Sequence, residues 1–135
     1  MTNTDRAGDE FGVITKISSR SVSDTTSRLL AILASKGVVL FAVIDQREEA
    51  RAVGLELRET TLVIFGSPKA GTPVMVASPL SALDLPLKLL IWADGAETKV
   101  SYYSPAYLAE RHHLSNELES NLASIDVLSD ALIAD

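Results

Sequence analysis

The sequence predicts an α+β domain built on a single mixed or antiparallel sheet of about four to five strands, with helices mainly on one face. Three observations lead there. Short runs rich in Val and Ile, such as Val38 to Ile44 (VVLFAVI) and Thr61 to Phe65 (TLVIF), are too short for most helices and are punctuated by Gly37 and Gly66. Around them lie stretches with apolar residues three and four apart behind Ser, Asp or Thr caps. The length of 135 residues, 47% of them hydrophobic and 22% charged, suits one domain with a proper core.

The first ten residues, MTNTDRAGDE, are polar and are expected to form a flexible N-terminus, with a single domain over residues 11–135. Gly12 to Ser18 (GVITKIS) alternates β-branched with other residues and reads as the first strand. Ser23 or Asp24 then caps a helix reaching Lys36, with Leu29, Leu30 and Leu33 on one side and Gly37 as its stop. After the strand at Val38, Glu48 to Val53 forms a short helix ended by Gly54, and Thr61 to Phe65 is the third strand. In the segment from Gly66 to Met75, Thr72 is the expected N-cap of a helix whose first residue is Pro73. Ser78-Pro79 repeats that chemistry for one more short turn. Leu85 to Ala93 (LPLKLLIWA) is a strand, Asp94-Gly95 a turn, and Thr98 to Tyr103 its hairpin partner. Ser104-Pro105 caps a helix to His112 or His113. A last helix, capped by Ser115 or Asn116, carries Leu118, Leu122, Ile125, Leu128 and Leu132 on one stripe.

Alternation divides each strand between two sheet faces. The strand at Val38 is apolar on both, and the strand at Leu85 carries Leu85, Leu87, Leu89 and Ile91 on one side against Lys88, Leu90 and Trp92 on the other. A sheet with one wet face shows polar residues at every second position, so a cover is expected on the second face. A partner copy or a loop would supply it; the sharper alternative is a ligand cavity lined by Lys88, Leu90 and Trp92.

Composition narrows the chemistry. A net charge of −6 opposes nucleic-acid binding, which needs clustered Lys and Arg to neutralise phosphates. The absence of Cys removes disulfides, thiolate metal sites and thiol nucleophiles. The N-terminus lacks a secretory pattern and no apolar run is long enough to span a bilayer, so no membrane association and a cytoplasmic location are expected.

Three constellations could carry a site. Gly66 to Thr72 (GSPKAGT) has the outline of a phosphate loop without the Lys after its second Gly, which excludes triphosphate binding but leaves Lys69 and the amides near Thr72 for a small anion. A plain strand-to-helix turn is the alternative. Asp84 and Lys88, four apart around Pro86, could work as carboxylate base and electrostatic partner, or simply form a salt bridge. His112 and His113 are adjacent at a helix end, diverge by about 100°, and suit the helix C-terminus better than a zinc site. No metal and no cofactor are expected.

Several of these stretches occur together. Phe41-Ala-Val-Ile-Asp45, Gly54-Leu-Glu-Leu-Arg58, Leu62-Val-Ile-Phe-Gly66-Ser-Pro-Lys-Ala-Gly-Thr-Pro73, Leu83-Asp-Leu-Pro-Leu-Lys88 with Trp92, and Tyr107-Leu-Ala-x-Arg-His112 resemble the DUF302 family over nearly the whole chain. The resemblance implies a single α+β domain of TBP-like topology and a homodimer, and implies no reaction. Many relatives carry His after the Val-Ile-Asp segment, where this chain has Gln46. The expected function is a non-enzymatic homodimeric module binding a small molecule or a protein through the second sheet face, with Lys69, Thr72, Asp84, Lys88 and Trp92 as ligand residues. The alternative is a small enzyme acting on an anionic metabolite, with Asp84 as base and Lys69 and Lys88 holding the anion.

Overall fold

In the computed structural model, residues 11–135 are described, and the expected flexible N-terminus at residues 1–10 lies outside them. Five strands form one sheet: β1 (Val13–Ser18), β2 (Val39–Asp45), β3 (Thr60–Gly66), β4 (Leu87–Asp94) and β5 (Glu97–Tyr103). Their order is β1-β5-β4-β3-β2, and every neighbouring pair is antiparallel, which settles the mixed-or-antiparallel alternative. The β4–β5 hairpin closes through Gly95-Ala96, with Gly95 at φ +61°, a conformation that glycine adopts at no steric cost.

The helices are α1 (Val22–Ser35), α2 (Gln46–Ala52), α3 (Pro68–Ala77), α4 (Pro105–His112), α5 (Asn116–Ser120) and α6 (Ser124–Ile133), with a 3-10 turn at Pro79–Leu83. Helix α1 is capped by Ser21, whose side chain accepts from the Asp24 amide, and not by Ser23 or Asp24, so the cap lies two or three residues earlier than expected. The predicted last helix is two: the stripe is continuous in sequence, but the chain turns between Ser120 and Ser124. Helices α1 and α6 cover one face of the sheet. There Leu29, Leu33, Val63, Leu89, Ile91, Val100, Ile125 and Leu132 are buried almost completely. Burial of each such side chain contributes roughly 1.5–3 kcal/mol.

A polar clasp ties α6 to the sheet through that core. Tyr102 donates to Asp126 Oδ1 at 2.6 Å, while Lys16 donates to Ser129 Oγ at 2.6 Å and to Asp130 Oδ1 at 2.8 Å. Burial opposes the Lys16 charge, yet the bonds to Asp130 and Tyr102 overcome it and raise the lysine above its ordinary 10.5. Burial and the bond to Asp126 likewise push the Tyr102 hydroxyl up from 10.0, against a smaller opposing effect of Ser129 and Lys16.

The doubly apolar strand at Val38 is an edge strand, a position that an apolar run alone does not distinguish from a central one. Its register shifts between Leu40 and Ala42, and Val39, Leu40, Phe41 and Val43 are all exposed. The second face carries Val13, Leu62, Ile64 and Leu90, each partly buried, beside the more exposed Ile17 and Tyr103. A polar row crosses the same face: Trp92 Nε1 donates to Ser101 Oγ at 3.0 Å, and Ser101 Oγ lies 2.8 Å from Thr15 Oγ1.

Candidate functional site

A cavity among the described residues lies on the helix side at the end of the sheet where β3 runs into α3. Its volume is about 410 Å³. The C-terminal end of α1 gives Leu33 and Lys36, and the sheet gives Phe41, Phe65 and Leu87. Helix α3 adds Gly71, Thr72 and Met75, the break between α5 and α6 adds Asn121 and Leu122, and α6 adds Leu128. The break therefore has a spatial consequence: it turns Asn121 toward α3, where its Nδ2 donates to the Ala70 carbonyl at 3.1 Å. Lys36 is the single charged residue among the described residues that line this space, and no carboxylate does.

A second cavity of about 230 Å³ opens where the β4–β5 ladder stops at Leu90–Ser101. Asp84, Lys88, Leu90 and Tyr103 are among its lining residues. Asp84 and Lys88 thus line one cavity, but they are not each other's partners. Asp84 Oδ2 lies 2.6 Å from His112 Nε2 and 3.2 Å from Arg111 Nε, while among the described residues Lys88 Nζ makes only a long contact, 3.5 Å, to the Pro86 carbonyl. An ionised carboxylate can only accept, so Nε2 is the protonated nitrogen of His112 beside it. The His112 side chain is 8% exposed and that of Asp84 20%, so the bond is largely shielded from water. Arg111 also donates to Tyr107 Oη at 3.1 Å; that bond, then the Asp84 charge, holds the guanidinium still more firmly protonated.

Ser81 lines the same small recess as Asp84 and His112, an arrangement that invites comparison with a nucleophile–base pair. The geometry does not support one. Ser81 Oγ is buried and has no hydrogen-bond partner among the described residues, and the recess holds no water-sized space for a substrate. Among the described residues, no group of three or more His, Asp or Glu side chains could hold a metal ion.

The remaining sequence-predicted residues are dispersed. Helix α3 starts at Pro68 after Ser67, so Thr72 sits in its second turn and is not the N-cap; Pro68 already satisfies the first-turn preference that was assigned to Pro73. The Ala70 and Gly71 amides donate to the Ser67 carbonyl at 3.0 and 2.8 Å, which leaves no nest of free amides around Thr72. Lys69 is exposed and lines neither cavity, whereas Thr72 lines the larger one. Trp92 lies outside both, with Arg58 and Lys99 over its ring at 5.9 and 5.5 Å. The hydrogen bond from Lys99, 2.6 Å long, and its charge hold the Asp94 carboxyl below its ordinary 3.8.

Residues 14–132 match the family described as Domain of unknown function DUF302. This chain belongs to the DUF302 family. Its architecture is similar to the crystal structure of an uncharacterized conserved DUF302 protein from Bacillus stearothermophilus, with a TM-score of 0.76 at 20% identity, over 90% of this chain and 95% of that one. In sequence it is similar to Fluoride-specific ion channel FluC 1 of Brucella suis biovar 1 (strain 1330), 38% identical over 115 residues that make up 84% of this chain and 44% of that protein. Fluoride-specific ion channel FluC 2 of Brucella melitensis biotype 1 matches at 38% over 115 residues, 42% of its length. The chain therefore spans less than half of the curated relatives it matches. No helix among the described residues of this DUF302 domain is long and apolar enough to cross a membrane.

Proposed function

We propose that this DUF302 domain is a non-enzymatic binding module that takes a small, mainly apolar molecule into the cavity between α1, α3 and α6. The cavity itself carries the reading. At about 410 Å³ it falls within the roughly 300–1,000 Å³ of small-molecule sites, and its walls are mostly aliphatic and aromatic with a few hydroxyl and amide groups. Protein interiors hold few voids larger than a water molecule, because unfilled apolar space forfeits dispersion contacts. Titration with the neutral fluorophore N-phenyl-1-naphthylamine tests the reading. Enhanced emission is expected from the parent and its loss from Gly71→Leu, since Gly71 lines the cavity and a Cβ there meets only Met75 Cε among the described residues, at 3.9 Å, so a larger side chain would take up the space. A parent that does not bind, or a Gly71→Leu variant that binds as well, overturns it.

A homodimer joined across the second sheet face belongs to the same proposal. Ile17 and Tyr103, 55% and 49% exposed, flank partly buried aliphatic residues there, and a second copy would cover them. Light scattering should give a dimer mass at micromolar concentration; a monomer mass counts against it. The match to part of the Brucella fluoride channels favours a setting in which such a module accompanies a channel. Co-purification with a FluC protein would support that setting, and its failure would remove it.

A further inference from the structure

Resting on the cavity reading above, we infer that the ligand class is a single-chain apolar molecule ending in one carboxylate, with its chain among Leu33, Phe65 and Leu128 and its head at Lys36. The argument is one of charge and place. The chain carries a net charge of −6, so a randomly composed cavity wall would be expected to include an acid. Instead the described lining contains no carboxylate and a single cation, Lys36.

Lys36 follows the last turn of α1, lines the cavity and is exposed, with no ion pair among the described residues, so its charge is open to a ligand. The four-carbon stem can run along apolar surface while the charged end stays hydrated, the usual behaviour of lysine at the rim of a greasy pocket. The other polar residues that line the cavity are Ser67, Thr72, Asn121 and Ser124, whose hydroxyl and amide hydrogens suit an anionic oxygen. Ser67 is exposed and does not spend its side chain on capping α3, so its hydroxyl is open to a ligand. A cationic head would meet Lys36 at close range, and a doubly charged one would lack a second cation. A neutral chain gains from the walls but not from the rim.

Calorimetric titration of the full chain with decanoate below its micellar concentration and with decan-1-ol below its solubility limit tests this. Decanoate should bind about two- to fivefold more tightly than the alcohol, the upper part of the range for a solvated ion pair. Lys36→Met, which keeps the length of the stem, should bring the two together, and Lys36→Arg should preserve the preference. Equal binding of acid and alcohol by the parent, with both lost in Gly71→Leu, overturns the carboxylate inference and leaves the cavity reading standing. Persistence of the preference in Lys36→Met also overturns it. Binding of neither, or binding undiminished in Gly71→Leu, overturns both.

Discussion

Replacing Asp84 by Asn removes the charge that the 3-10 turn presents to α4, and the size of the effect can be worked from the contact. His112 Nε2 lies 2.6 Å from the carboxylate, and the His112 side chain is only 8% exposed. A hydrogen bond to a charged group contributes about 1.5–3 kcal/mol. Asn retains one acceptor oxygen, and a neutral bond there is worth about 0.5–1.5 kcal/mol, so the net loss is about 1–2 kcal/mol. The Arg111 contact at 3.2 Å adds to the direction of the effect, but its side chain is half exposed and screened. For a domain of this size, 1 kcal/mol moves the melting temperature by roughly 3–5 °C. Asp84→Asn should therefore melt roughly 3–10 °C below the parent and lower the urea midpoint at constant m-value. A double-mutant cycle with His112→Gln should show coupling above about 0.5 kcal/mol, whereas a cycle with Lys88→Met should show almost none. Strong coupling to Lys88 and none to His112 would refute the assignment of the partner.

Alkaline pH should weaken the clasp between α6 and the sheet. Lys16 and Tyr102 are both raised above their ordinary 10.5 and 10.0, so the unfolded chain loses those protons first and binds fewer than the folded one. The stability they contribute is complete below about pH 10 and is lost as pH rises through the folded values; urea midpoints across that window should fall, and Tyr102→Phe should flatten the fall. A parent whose stability is level up to pH 11 or so would contradict the sign. Gly12 sits at φ +83°, and a Cβ there would lie 2.1 Å from Tyr107 Cγ. Gly12→Ala should cost at least about 2 kcal/mol, about 1–2 of it from the left-handed backbone alone, and a variant as stable as the parent in urea would disprove the close approach.

Much of the fold was legible because it is written locally. The strands at Thr61 and Thr98, the turn at Gly95 and the Ser104-Pro105 cap follow from β-branched runs and cap chemistry within a few residues. Helix α3 shows where local signals compete: both Ser67-Pro68 and Thr72-Pro73 offer a cap followed by Pro, and the earlier one wins, with Pro73 carried inside the helix. The break between α5 and α6 was hidden by a stripe that stays in phase across it. Edge placement of β2 was hidden for a related reason, since an apolar run records what a strand could bury and not how many neighbours it has.

The sequence by itself determined the class of fold, the order of its elements and the family resemblance, because periodicity, caps and turn residues act over one or two turns of chain. The candidate site belongs to the tertiary structure. Asp84 met His112, 28 residues away, because α4 docks beside the 3-10 turn, and spacing along the chain pointed to Lys88 instead. The cavity is likewise a gap between surfaces contributed by α1, the sheet, α3 and the α5–α6 break. No stretch of sequence encodes a gap, since its volume depends on how far separately folded elements can approach before their side chains collide.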